Sequence, residues 1–206
     1  MSDTEFDRWQ QRFAGPGYLF GTAPNAFLQA QAHLLRKGQT ALAIADGEGR
    51  NGVFIAEQGL DVLSVDFSPL AQDKARKLAA ERGVTLRVEQ ADVVAWQWPE
   101  AAFDVVAAIF IQFAAPPERQ KIFAGIKRTL KPGGLLLMQG YGPKQLDYKT
   151  GGPSRPENLY TRGMLQQAFG DFASLDIREH DSVIEEGAGH GGLSALVDLV
   201  GRKITT

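Results

Sequence analysis

The sequence predicts an α/β fold, a single doubly wound, Rossmann-like, seven-stranded and mostly parallel sheet with helices on both faces and an N-terminal helical lid. Three observations carry that expectation. From residue 40 onward, short apolar runs alternate with amphipathic helical runs, as in an open parallel sheet covered by helices. The run Ala41-Leu42-Ala43-Ile44-Ala45 breaks into Asp46-Gly47-Glu48-Gly49-Arg50-Asn51-Gly52, a glycine-rich strand-to-helix turn. With 206 residues, 44% hydrophobic and 22% charged, the chain can bury one large core, and two would be cramped. One domain is expected over 1–206, with the lid at 1–38 and the core at 39–206.

The elements follow in order. Helical patterns at 6–13 and 26–35 flank the Gly- and Pro-punctuated stretch 15–25, which reads as a mobile flap over the sheet. The first strand is expected at about 40–45, followed by a helix through 52–58 that Gly59 closes. Asp61 to Asp66 is strand two. Pro69 at a helix start with Ser68 as N-cap opens a helix at 69–81, ended by Gly83. Strand three is expected at 84–88. After the loop bearing Trp96 and Trp98, residues 103–110 form a continuous apolar strand, as befits one buried on both faces. Pro116 starts a helix that ends near Leu130, Lys131-Pro132-Gly133-Gly134 is a turn, and 135–139 is strand five. A long loop over 142–158, a helix over 161–169 and two strands at about 175–184 and 192–202 complete the chain. Loops as long as 142–158 within a domain are often functional.

Composition excludes several classes. A formal charge of -2, with both signs interspersed, gives no broad positive field for nucleic acid. The most apolar window, 105–113, is too short for a membrane span. The polar, acidic start lacks the layout of a signal peptide. With no cysteine there is no disulfide, thiolate metal site or cysteine nucleophile, in keeping with a cytoplasmic home. His33, His180 and His190 are too scattered to suggest a metal centre, and none is expected.

Six motifs in the same order and at similar intervals resemble the class I S-adenosylmethionine-dependent methyltransferases, with the closest likeness to the TehB (tellurite resistance) and thiopurine methyltransferase-like group. They are Gly47-Glu48-Gly49-Arg50-Asn51, Val65-Asp66-Phe67-Ser68-Pro69, Ala91-Asp92, Phe103-Asp104-Val105-Val106, Leu130-Lys131-Pro132-Gly133-Gly134 and Gly151-Gly152-Pro153. Tyr18, Gly21, Pro24-Asn25 and Phe27-Leu28 look like that group's N-terminal lid, and Glu186-Gly187 followed by His190 is similar as well. The resemblance implies S-adenosylmethionine as cofactor and S-adenosylhomocysteine as product. It also implies an acid near the end of strand one, where this chain has Ala43. Asp46 is the local carboxylate expected to replace it.

In an open α/β sheet the ligand crosses the carboxyl ends of the strands where their order reverses. Asp66, about twenty residues past the glycine turn, is placed to accept from both ribose hydroxyls, with Phe67 and Ser68 following it. Capping the next helix is its plainer alternative. Asp92 resembles the acid that accepts from the adenine amino group, with Ala91 and the Val93 backbone beside it, although it would also serve as a turn residue. Ile109 and Phe110 are expected beneath the adenine or methionine portion. Ala45, Asp46, Gly47, Glu48, Gly49, Arg50 and Asn51 complete the cofactor-binding set. A dinucleotide would put its pyrophosphate on the helix N-terminus, which tolerates anions nearby poorly. Asp46 and Glu48 suit the methionine ammonium instead. Two rivals stay open: a nicotinamide-dependent oxidoreductase, and a non-catalytic domain that binds S-adenosylmethionine.

Methyl transfer from a sulfonium is an in-line displacement in which alignment alone is worth roughly 7 to 11 kcal/mol. An acceptor that is already an anion, such as a thiolate, an oxyanion or a chalcogen species, needs no base. Tyr18, Arg119, Tyr141 and His190 are the catalytic candidates, with Gln112 and Gln145 as further lining. Gln112 stands where relatives often show histidine, which argues against a histidine base there. Tyr18 and Tyr141 offer hydroxyls or ring faces to the sulfonium, Arg119 could orient an anionic acceptor, and His190 could accept a proton near neutral pH. Each would serve equally as a loop or surface residue. The expected partner is a small-molecule methyl acceptor, with no nucleic acid and no membrane. Acceptor identity and oligomeric state are not fixed by the sequence.

Overall fold

Alternation of side chains along each strand sorts the apolar residues of the parallel strands onto two faces, and both faces are covered. The structure, a computed structural model, describes residues 3–205. Residues 1, 2 and 206, the ends of the expected domain, lie outside the described residues. Seven strands, β1 (Thr40–Ile44), β2 (Asp61–Asp66), β3 (Arg87–Gln90), β4 (Phe103–Ile109), β5 (Leu130–Tyr141), β6 (Ser174–Glu186) and β7 (His190–Arg202), form one sheet in the order β3-β2-β1-β4-β5-β7-β6. The first five run parallel, and β7 lies antiparallel between β5 and β6. The order reverses between β1 and β4.

On one face Leu42, Ile44, Val106, Ala108, Leu136 and Met138 pack beneath α5 (Pro116–Thr129) and α7 (Arg162–Phe169). On the other, Ala41, Val105, Ala107, Ile109, Leu135 and Leu137 meet α2 (Ala26–Ala30) and α3 (Arg50–Glu57). Two glycines permit close helix packing. A Cβ at Gly125 of α5 would fall 2.3 Å from the Trp98 ring, and one at Gly49 would fall 2.5 Å from Ala75 Cβ on α4 (Pro69–Glu81).

Several boundaries differ from expectation. Val84, expected in β3, instead completes the C-terminus of α4: its N–H reaches Ala79 O while Gly83 N–H reaches Ala80 O, with Gly83 at φ +67°. The expected turn at 131–134 is a kink within β5, where the register against β4 shifts between Phe103 and Val105. The helical pattern at 26–35 divides into α2 and a 3₁₀ turn at Ala32–Leu34, and the 142–158 loop contains α6 (Gln145–Tyr148) and a 3₁₀ turn at Pro156–Asn158. The last two strands pair out to Glu186↔His190, so these residues face each other at a hairpin tip. Helix α1 (Asp3–Phe13) and the segment up to Pro24 lie over the carboxyl ends of the central strands. Among the described residues no helix is long and apolar enough to cross a membrane.

Candidate active site

The crevice at the strand reversal is shaped first by backbone. β1 and β4 both end in a non-glycine residue with left-handed backbone, Ala45 at φ +47° and Phe110 at φ +55°. A bulky residue such as Phe110 rarely adopts it, and such strain collects at functional sites. Gly47 (φ +57°) and Gly49 (φ +87°) then turn the chain into α3. Ala45, Gly47, Asp66, Phe67, Ile109 and Phe110 make the floor of a cavity of about 80 Å³. Trp9 and Phe13 from α1, Phe20 from the flap and Phe113 enclose it, with Arg50, Asn51 and His190 along one wall.

Asp66, at the tip of β2, is 3% exposed. Its Oδ2 accepts from Gly47 N at 2.8 Å and its Oδ1 from Ser68 N at 2.9 Å, so the carboxylate is aimed by the turn and by the start of α4. Burial pushes its pKa up to about 6, against the pull of the Ser68 and Gly47 N–H groups. Each oxygen retains acceptor capacity.

On the opposite wall a second carboxylate organises side chains. Glu186 Oε2 receives Arg50 Nη2 at 2.6 Å, and Oε1 accepts from Asn25 Nδ2 at 2.9 Å and Ala26 N at 3.3 Å. Burial opposes ionisation of Glu186, but His190, Arg50 and the Ala26 N–H outweigh it and hold the pKa down at about 2. His190 Nδ1 lies 3.8 Å from Glu186 Oε2, close for an ion pair and too long for a direct hydrogen bond. The imidazole is wedged between the Phe20 and Phe110 rings, with centroids 4.4 Å from each. Burial, with Arg50 and Arg12, lowers its pKa, and Glu186 opposes them. Arg50 Nη1, Tyr141 Oη and His190 Nδ1 are buried without a hydrogen-bond partner. The network extends through the sheet, with Asn25 Nδ2 also bound to Gln139 Oε1, Gln139 Nε2 to Asp198 Oδ1, and Asp198 Oδ2 paired with His180 Nε2.

The flap is fastened on both sides. Lys74 Nζ of α4 reaches Gly15 O at 3.0 Å, Gly17 O at 2.6 Å and Glu48 Oε1 at 2.7 Å, while Leu19 N donates to Glu48 Oε2 at 2.7 Å. Across the crevice Gly189 N donates to Leu19 O at 3.0 Å.

Of the residues expected to bind cofactor, Ala45, Asp46, Gly47, Arg50, Asn51, Asp66, Phe67, Ile109 and Phe110 border the cavity. Asp46 does so without presenting its carboxylate, which turns beneath α3 to accept from Ser64 Oγ at 2.8 Å and Gly52 N at 3.2 Å. Desolvation of its carboxylate raises the pKa to about 7. The carboxylate expected to replace the acid missing at Ala43 thus secures the start of α3 against β2. Glu48 is likewise occupied by Lys74 and Leu19. Gly49 is pressed against Ala75, and Ser68 caps α4 through its contact with Ala71 N. Asp92 accepts from Val94 N at 2.9 Å and, with Ala91, borders an open groove beside β3 instead of the cavity; Val93 belongs to the core.

The catalytic candidates divide in the same way. His190 borders the cavity, and Tyr141 stands behind it at a ring distance of 5.8 Å. Tyr18 is outside, its hydroxyl donating to Lys74 O, and Arg119 donates to Glu157 O on the far side of the loop. Gln112 and Gln145 are buried structural ties, to Tyr141 O and Asn158 O and to Gly151 O and Ala195 N respectively. The sequence reading missed Trp9, Phe13, Phe20 and Phe113 as lining, and Lys74, Asn25 and Glu186 as the groups that hold the walls. The spacing of Phe6, Trp9 and Phe13 along one helical face was the available signal.

Residues 41–134 match the family described as a methyltransferase domain. A demethylmenaquinone methyltransferase from Thermus thermophilus is 33% identical over 104 residues, 50% of this chain and 47% of that protein. A tRNA N(3)-cytidine methyltransferase from Danio rerio is 42% identical over 110 residues, 52% of this chain and 29% of that protein. The chain spans less than half the length of these curated relatives. TehB from Haemophilus influenzae, one of many solved structures with this fold, superposes with a TM-score of 0.69 at 15% identity, covering 97% of this chain and 67% of that one. The matched segment is similar to a methyltransferase domain, the sheet has the fold of solved α/β methyltransferases, and the cofactor that such a domain uses is S-adenosylmethionine. The site suits it. Asp66 offers a buried bidentate acceptor, Arg50 Nη1 is a buried cationic donor awaiting an acceptor, and the Phe110 and Phe20 rings favour a sulfonium.

Proposed function

We propose that the protein is an S-adenosylmethionine-dependent methyltransferase that transfers a methyl group to a small-molecule acceptor by in-line displacement. The observation that carries this reading is Asp66, buried at the strand reversal and aimed into the crevice by Gly47 and Ser68. It takes the ribose hydroxyls, Arg50 Nη1 takes the methionine carboxylate, and the bound cofactor supplies an electrophilic methyl carbon and a neutral thioether leaving group. This chain's residues align the acceptor and exclude water. Trp9, Phe13 and Phe20 close the crevice to about 80 Å³, well below the several hundred Å³ that a ligand of this size fills. Cofactor entry therefore requires residues 3–24 to swing outward about Pro24 and Asn25. We read those residues as the lid of a single domain.

The enclosed crevice and the charge of -2 favour a small acceptor over nucleic acid, and the absence of cysteine supports a cytoplasmic setting. The flap and the Glu186/His190 hairpin support kinship with the TehB group within the class. Calorimetric titration tests the reading directly. S-adenosylhomocysteine is expected to bind and NAD(H) not to; the reverse result overturns the assignment, as does failure to form S-adenosylhomocysteine with any thiol, phenol, amine or metalloid oxyanion.

A further inference from the structure

We infer that Gln139 and Asp198, which stand outside the crevice, are positioning residues for the amino-acid end of the cofactor, acting through Asn25 and Glu186 on Arg50. This rests on the reading in which Arg50 Nη1 takes the methionine carboxylate. On the face of the sheet that meets α2 and α3, β5 presents Leu135, Leu137 and then Gln139, while β7 presents Val200 and then Asp198. An apolar stripe is thus broken by one amide–carboxylate pair, directly opposite in register, at the end nearest the crevice. Gln139 is 3% exposed. Burying such groups is unfavourable unless each finds a partner, and two apolar side chains would fill the same place.

Every donor in this row faces an acceptor, and the direction is fixed from both ends. A carboxylate only accepts: Asp198 Oδ2 takes His180 Nε2 at 2.9 Å and Oδ1 takes Gln139 Nε2 at 2.6 Å. Gln139 must then turn Oε1 to Asn25, where it accepts from Nδ2 at 2.7 Å. From the other end, Asn25 Oδ1 is used by Leu28 N at 3.0 Å in capping α2, so this amide offers only Nδ2 to the row. The second Nδ2 hydrogen goes to Glu186 Oε1 at 2.9 Å. With Oε1 held there and by Ala26 N, Glu186 meets Arg50 at one point only, Oε2 to Nη2 at 2.6 Å. Arg50 Nη1 is left buried and unpaired on the crevice wall. Released from Asn25, Glu186 could close on both guanidinium nitrogens as a fork, and Nη1 would be spent on the protein. The row therefore keeps that nitrogen for a ligand.

Two ligands are titrated calorimetrically: S-adenosylhomocysteine, and 5′-methylthioadenosine, which keeps the nucleoside and thioether and has no carboxylate. Gln139→Met, uncharged and of similar length, is expected to weaken S-adenosylhomocysteine binding about tenfold while 5′-methylthioadenosine stays within about twofold of wild type. Gln139→Glu combined with Asp198→Asn exchanges amide and carboxylate, leaves every donor facing an acceptor, and is expected to recover most of the loss. Where Gln139→Met does not fold, Asp198→Ala replaces it with the same selective loss expected, since it removes the group that turns the Gln139 amide. Unchanged S-adenosylhomocysteine binding, parallel loss of both ligands, or no recovery in a stably folded double variant overturns the inference and leaves the methyltransferase reading standing. If the double variant misfolds, the selective loss decides; if 5′-methylthioadenosine binds wild type too weakly to measure, loss and recovery with S-adenosylhomocysteine decide. Failure of S-adenosylhomocysteine to bind the wild type overturns both readings.

Discussion

The two walls of the crevice are built by different means. The Asp66 wall is mostly main chain: two N–H groups hold the carboxylate, and its neighbours are the ends of adjacent parallel strands. The Glu186 wall is mostly side chain, joining α3, β5, the β6–β7 hairpin and the segment entering α2 through Arg50, Gln139, His190 and Asn25. A main-chain site needs only a correct fold, whereas a side-chain site needs several distant residues at once. The first kind therefore tolerates sequence change around it, and the second concentrates its vulnerability in one carboxylate.

That contrast can be broken by substitution. The largest effect is expected from Asp66→Ala, which removes two charge-assisted bonds to the ribose worth about 1.5 to 3 kcal/mol each, so calorimetry should show S-adenosylhomocysteine binding weakened by at least 100-fold with little change in melting temperature. Unchanged affinity would mean that the ligand does not cross the β2 tip. Glu186→Ala is expected to act on stability instead, lowering it by about 3 to 5 kcal/mol because Arg50 is left buried and unpaired, and denaturant unfolding measures this. The pH dependence has the matching sign. With its pKa depressed to about 2, Glu186 contributes stability above pH 4.5 that is lost as pH falls toward 2, and the variant should lack that acid-side loss.

Asp46 sharpens the comparison from the other direction. Its pKa rises on folding from 3.8 to about 7, so its contribution is fully present below pH 4 and lost as pH rises through 7. Asp46→Asn should accordingly melt progressively higher than wild type between pH 5 and 8, by an amount on the order of 1 to 3 kcal/mol at the alkaline end; parallel melting curves would refute the buried ionisation. The smallest effect, about 1 kcal/mol, is expected from Tyr18→Phe, which removes the flap hydroxyl's bond to Lys74 O on α4 and leaves both walls intact. Faster protease cleavage within residues 14–24, with unchanged global stability, would confirm that the clamp acts locally.

How much of this could be seen in the chain alone follows the same division. The strand reversal, the glycine turn and Asp66 are readable because periodicity and turn chemistry act over a few neighbouring residues. Glu186 and His190 were visible as a motif, but their partners Arg50 and Asn25 lie more than a hundred residues away. The direction of the Asp46 carboxylate is not legible in the chain, because a strand-to-helix turn does not reveal which way it points. Only Ser64 on the adjacent strand settles that. Asp92 accepts from Val94 N two residues on, the local turn contact that its position in the sequence also allows.

The left-handed residues that close β1 and β4 carry a cost for evolution as well as for folding. Ala45 and Phe110 each hold a conformation of order 1 to 3 kcal/mol above relaxed backbone, strain that glycine would relieve at either position. At 45 that exchange removes only a methyl group. At 110 it also removes a ring that packs against His190 and Tyr141. Phe110 is thus a point at which a relaxed backbone and a well-formed crevice are opposing outcomes, the ring's packing holding the chain in the strained one.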